Sequence, residues 1–183
     1  AVESSNTQNP SKEQMDSLVD LYNQKKLQQV FEETQILTKE YSNDLTLWNL
    51  MGASAAQIGQ LDEAVIALKN AISINPNFAE AYYNLGITLQ EQGKLIEAME
   101  AYKKVISIQP DFAEAKTTLA LLLFELNRFE EAEKLFVLDD SPKNQIYLLK
   151  CLFEQGKKSE FYEQVDYLIE RGLNNCVIGS YIS

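Results

Sequence analysis

The chain has 183 residues, with 16 basic against 27 acidic side chains, a formal charge of −11 and no histidine. Recognition of a phosphate backbone needs clustered Lys and Arg; Lys25/Lys26, Lys103/Lys104 and Lys157/Lys158 are scattered pairs, so nucleic acid and anionic membrane surfaces are excluded as partners. The missing histidine removes the commonest general base and transition-metal ligand, and the longest apolar run, residues 119–124, is far short of a membrane span.

Residues 1–10 are polar and aperiodic and read as a flexible leader. Ser11 with Gln14 has capping-box spacing, so a helix is expected over 12–23, followed by a second over 27–41. Leu18, Leu21, Val30 and Leu37 supply the apolar positions of this pair, and Lys25 occupies the turn.

Residues 45–78 and 79–112 then say nearly the same thing twice, 34 residues apart. Trp48 matches Tyr82, Gly52 matches Gly86, Gly59 matches Gly93, Ala64 matches Ala98, Pro76 matches Pro110 and Phe78 matches Phe112. Repetition at that period is the signature of stacked helix–turn–helix units. Bulky residues at register positions 4, 7, 11 and 24 alternate with small ones at 8 and 20, so two helices approach closely at the small residues and the large ones fill the space alongside. Gly59 and Gly93 can take the left-handed conformation that closes a helix, and Pro76 and Pro110 end the second helix. Asn77 with Glu80, and Asp111 with Glu114, have capping-box spacing for the helix that follows.

A third copy over 113–141 keeps Leu119, Ala120, Leu123, Ala132 and Phe136 in register, with Asn127 at the turn. Asn tolerates left-handed geometry better than most residues. Ser141 before Pro142 then starts a final pair over 142–175, with helices expected at 146–155 and 159–171 and Gly156 at the turn. Cys151 sits in an apolar helical stretch and reads as a small core residue. Neither it nor Cys176 has metal-ligand spacing, and nothing demands an oxidising compartment, so a cytoplasmic location is expected. Residues 176–183, with apolar Val177, Ile178, Tyr181 and Ile182, read as the start of a capping helix or of a further domain, and the sequence as part of something longer.

The two clear copies closely resemble the tetratricopeptide repeat, in the simple, regular form of bacterial arrays. The resemblance implies an all-α fold, a right-handed α-solenoid superhelix of about five helix–turn–helix units over 11–175. It also implies that the first helix of each unit lines a concave groove through register positions 2, 5, 6, 9, 12 and 13. In this chain those positions give a candidate peptide-binding set of Asn49, Ala53, Gln57, Tyr83, Asn84, Ile87, Gln90, Thr117, Leu121 and Phe124. The spacing of Tyr83, Asn84, Ile87 and Gln90 independently makes one helical stripe, opposite Tyr82, Leu85, Gly86 and Leu89.

Chaperone-binding members of the family hold an acidic C-terminus with a Lys/Asn/Asn/Lys/Arg clamp. The matching residues here are Asn49, Ala53, Asn84, Glu114 and Thr118, of which only Asn84 agrees. Glu80 and Glu114 would repel such a ligand, so an acidic chaperone C-terminus is not the expected partner. Members that bind a peptide backbone through an Asn ladder repeat the Asn84 position, but Leu50 and Thr118 stand there in the neighbouring copies.

No phosphate loop, nucleophile elbow or metal-ligand cluster is present, so no catalytic residue, cofactor or metal is expected. The reading is a non-enzymatic scaffold that binds a neutral or basic polypeptide segment with apolar anchors, as a monomer or weak homo-oligomer. The resemblance leaves two alternatives. One is a recruiting arm of a larger glycosyltransferase, sulfotransferase or iron/2-oxoglutarate oxygenase; the other is a self-associating module.

Overall fold

The structure, a computed structural model, describes residues 9–172. The first eight residues of the leader, Cys176 and the closing apolar set Val177, Ile178, Tyr181 and Ile182 lie outside the described residues. Ten helices, and no strand, occur among the described residues. They are α1 (Lys12–Asn23), α2 (Leu27–Glu40), α3 (Leu45–Gln57), α4 (Leu61–Ile74), α5 (Ala79–Glu91), α6 (Leu95–Ile108), α7 (Ala113–Glu125), α8 (Phe129–Phe136), α9 (Pro142–Glu154) and α10 (Lys158–Glu170). They fall into two compact units, one through Pro110 and one from Asp111.

In the first unit, α1 to α6 pack as successive antiparallel pairs. The turn within each pair is fixed by one left-handed residue: Lys25 (φ 60°), Gly59 (82°) and Gly93 (73°). At Gly59 the N–H of Gln60 reaches the carbonyl of Ala55 at 2.9 Å and that of Gly59 reaches Ala56 at 2.9 Å, which satisfies the last carbonyls of α3. Lys25 holds the same geometry despite its Cβ, a cost of about 1 kcal/mol, and its ammonium lies 6.0 Å from the Tyr22 ring centroid.

The helix starts divide. Ser11 forms its box with Gln14, through bonds of 2.8 and 3.2 Å. Asp44, which the sequence did not mark, caps α3 by accepting from Thr46 and Leu47 at 2.9 Å each. The boxes expected at Asn77/Glu80 and Asp111/Glu114 do not form. Helices α5 and α7 begin one residue further on than the box spacing requires, so Phe78 and Phe112 take the cap position and no side chain caps either helix. The Asn77 N–H is satisfied instead by the Asn75 side chain at 2.9 Å.

The core follows the large-and-small pattern. Ala64, Leu68, Ala98 and Tyr102 are fully buried. A Cβ added to Gly52 would lie 2.5 Å from Leu68 Cγ, and one added to Gly86 2.5 Å from Tyr102 Cε1. Each of these glycines therefore lets a large side chain of the second helix lie against the first helix's backbone. Trp48 is half-buried, and its indole N–H donates to the Ser42 carbonyl at 2.9 Å.

In the second unit, α7 to α10 repeat the arrangement with altered parts. Asn127 takes the left-handed turn position at φ 57° and Gly156 at 69°. Helix α8 has only 8 residues. Its last residue, Phe136, is fully buried and stacks on Tyr147 with centroids 5.4 Å apart. Helix α9 starts at Pro142 with Ser141 at its cap position, as the Ser–Pro pair implied, and so takes in the residues before 146 as well. Cys151 is fully buried. Burial, aided by the Glu133 carboxylate, pushes its thiol up to about 12, so it stays protonated and acts as packing.

Glu133 of α8 ties the α9–α10 turn down: Gln155 Nε2 and Lys157 Nζ both donate to its Oε2 at 2.7 Å. Burial pushes the Glu133 carboxyl up, but these hydrogen bonds and the Lys157 and Lys134 charges outweigh it, leaving it below its ordinary 4.5. A carboxyl depressed by folding stabilises the fold above its unfolded pKa, and that share is lost as pH falls through the folded value. Stability should therefore fall as pH drops below about 4.5, and Glu133→Gln should flatten that fall. Urea melts in a pH series measure it; equal slopes for both chains would remove Glu133 from the account.

Candidate functional site

Helices α3 and α5 lie side by side in the first unit and present the candidate stripe. Asn49, Ala53, Tyr83, Asn84, Ile87 and Gln90 are half-buried and Gln57 is exposed, whereas Leu85, Gly86 and Leu89 on the opposite side of α5 are buried. This is what the helical period produces when one face meets the second helices and the other stays open.

Three cross-helix bonds organise the stripe. Asn84 Nδ2 donates to Asn49 Oδ1 at 3.0 Å, joining α5 to α3. The Gln57 amide donates to the Tyr22 hydroxyl, joining α3 to α1. The Tyr102 hydroxyl of α6 donates to Gln90 Oε1 at 3.1 Å, and the Tyr102 ring lies 5.9 Å from that of Tyr83. Helix α3 carries no charged side chain, and α5 carries only Glu80 and Glu91, both exposed. The surface is thus an uncharged floor of amides beside Tyr83 and Ile87, edged by two carboxylates. It can exchange hydrogen bonds with a polypeptide and bury apolar groups, and it repels acidic groups at its edges.

Thr117, Leu121 and Phe124 lie on α7 in the second unit, all half-buried. The Thr117 hydroxyl oxygen accepts from Asn144 Nδ2 at 3.1 Å. Phe124 meets Phe129 and Tyr147 edge-on at 5.3 and 5.4 Å, so much of its ring is spent on packing inside that unit. Among the described residues, no group of three His, Cys, Asp or Glu could hold a metal ion, and no helix is long and apolar enough to cross a membrane.

Sequence reasoning missed Tyr22 and Tyr102. Tyr22 carries no signal beyond being an aromatic at position 12 of the first pair. Tyr102 does carry one: it is a tyrosine at the position where the preceding copy has Leu68, and it faces a glycine.

These features define the class, an all-α solenoid of helix–turn–helix repeats. Residues 52–93 match the family described as TPR repeat and residues 79–112 match the tetratricopeptide repeat. Residues 52–112 are thus tetratricopeptide repeats. The peroxisomal targeting signal receptor of Candida albicans is 44% identical over 46 residues, 25% of this chain and 8% of that receptor. The Saccharomyces cerevisiae receptor is 39% identical over 46 residues, again 25% and 8%. The chain thus spans under a tenth of the length of these relatives. Two solved structures share the fold. MamA superposes with a TM-score of 0.74 at 18% identity, covering 86% of this chain and 88% of MamA. A tetratricopeptide repeat protein from Parabacteroides merdae gives 0.74 at 19%, covering 93% and 70%.

Proposed function

We propose that this chain is a non-enzymatic protein-interaction scaffold that binds a polypeptide segment on the α3–α5 stripe, with Thr117, Leu121 and Phe124 as the corresponding stripe of the second unit. The observation that carries this reading is the uncharged, half-buried surface in which the Asn49–Asn84 pair sits beside Tyr83 and Ile87. Amides held in place lose little freedom on meeting a ligand. The apolar pair supplies anchor area, and Glu80 and Glu91 at the edges select neutral or basic segments over acidic ones. Similarity over 46 residues to proteins named as receptors of a targeting signal supports recognition of a segment of another protein.

The test uses dodecapeptides selected on the full chain from a random display library. A truncated central anchor commonly costs at least about 2 kcal/mol, roughly 30-fold in affinity. Tyr83→Ala with Ile87→Ala should therefore weaken a selected peptide by about that factor in fluorescence anisotropy, with far-UV circular dichroism unchanged. An unchanged affinity would move the site off this stripe.

A further inference from the structure

We propose that the Tyr102 hydroxyl is a positioning group: by donating to Gln90 Oε1 it turns the Gln90 amide nitrogen outward as a fixed donor for a main-chain carbonyl of the bound segment. The proposal rests on the stripe of α3 and α5 being the binding surface.

The polarity of this bond follows from burial. Tyr102 is 0% exposed, and among the described residues its hydroxyl donates to Gln90 Oε1 at 3.1 Å. If the Gln90 amide were reversed, its nitrogen would donate to the phenol oxygen. The phenol proton would then face no acceptor among the described residues, and a buried donor without a partner is costly. Burial first, then the neighbouring Tyr83 and Glu91, raises the phenol pKa, so the proton stays on the oxygen at every working pH. Gln90 therefore keeps its carbonyl turned in. Its amide nitrogen donates to no acceptor among the described residues, and Gln90 is only half-buried, so the nitrogen is left to meet a ligand.

The device belongs to one repeat. In the preceding copy the same two positions hold Leu68 and Ala56, which have neither hydroxyl nor amide. Gly86 makes it feasible, because a Cβ there would lie 2.5 Å from Tyr102 Cε1, in the space the ring uses to pass beside α5 and reach Gln90. A hydrogen-bond acceptor is the ligand group that fits the Gln90 nitrogen, and the main-chain carbonyl is the acceptor that every polypeptide segment carries.

The experiment is a double-mutant cycle on the full chain, read with a display-selected dodecapeptide by fluorescence anisotropy. Tyr102→Phe keeps the ring and removes the hydroxyl. It should weaken binding about threefold to tenfold, the worth of one neutral hydrogen bond. In a Gln90→Ala background the same change should have no further effect, because its route is gone. A second readout needs no ligand: in a nitrogen–proton spectrum, the Gln90 side-chain amide pair should move toward its free position in Tyr102→Phe. A Tyr102→Phe loss of equal size in both backgrounds would mean a packing effect and overturn the proposal, as would an unmoved Gln90 amide. If Tyr83→Ala with Ile87→Ala weakens the peptide and Tyr102→Phe does not, positioning alone fails. If the Tyr83/Ile87 pair is inert, the stripe itself fails as the site and the proposal falls with it.

Discussion

Tyr102→Ala should lower the unfolding free energy by about 3–5 kcal/mol, the usual cost of deleting a buried aromatic ring. The ring is 0% exposed, lies against the α5 backbone at Gly86, and sits 5.9 Å from the ring of Tyr83. Its removal leaves a void at the junction of α5 and α6 that α5 cannot move to close, because it is also held by α3 and α4. The full cost should therefore appear. Urea unfolding followed by circular dichroism measures it, and a loss below about 2 kcal/mol would mean that the two helices collapse onto the void.

The second large effect is Gly86→Ala, which runs the other way chemically and still destabilises. The added methyl would stand 2.5 Å from Tyr102 Cε1 and 2.8 Å from Cδ1, well inside contact distance. The ring is packed on its far side and cannot rotate clear, so overpacking of roughly 1–3 kcal/mol is expected. Alanine inside a helix is otherwise favoured over glycine by roughly 0.5–1 kcal/mol. The two effects separate in a cycle. In a Tyr102→Ala background the methyl enters the vacated space, and Gly86→Ala should become neutral or stabilising by about that propensity term. Simple additivity of the two substitutions would show that the glycine serves something other than the ring.

The architecture was legible because the 34-residue period repeats landmarks whose physics is local: turn residues, prolines, and large and small side chains in a helical register. Asn127 was readable as a left-handed turn residue for the same reason. The helix starts of α5 and α7 were misread because Asn77 and Asp111 carry the right chemistry one residue too early, while Phe78 and Phe112 occupy the cap positions. The stripe of α3 and α5 could be placed on one face by counting. Its internal wiring could not: Tyr22 with Gln57 and Asn49 with Asn84 are each 35 residues apart, and a hydrogen bond at that separation leaves no local pattern. Phe124 shows the converse limit, since its position marks it as an anchor but says nothing of Phe129 and Tyr147 engaging its ring.

The first helix carries a further consequence. Leu18 is the one fully buried residue of α1, and the turn that follows it holds a lysine in a strained left-handed conformation. Stability in a repeat array is a sum of local terms, and the weakest unit opens without waiting for the rest. Amide protons of α1 should therefore exchange with solvent through a small opening of that helix, while those of α4 and α6 wait for global unfolding. Within the described residues, protease cleavage should then begin near Lys25 and Lys26 rather than in the packed centre.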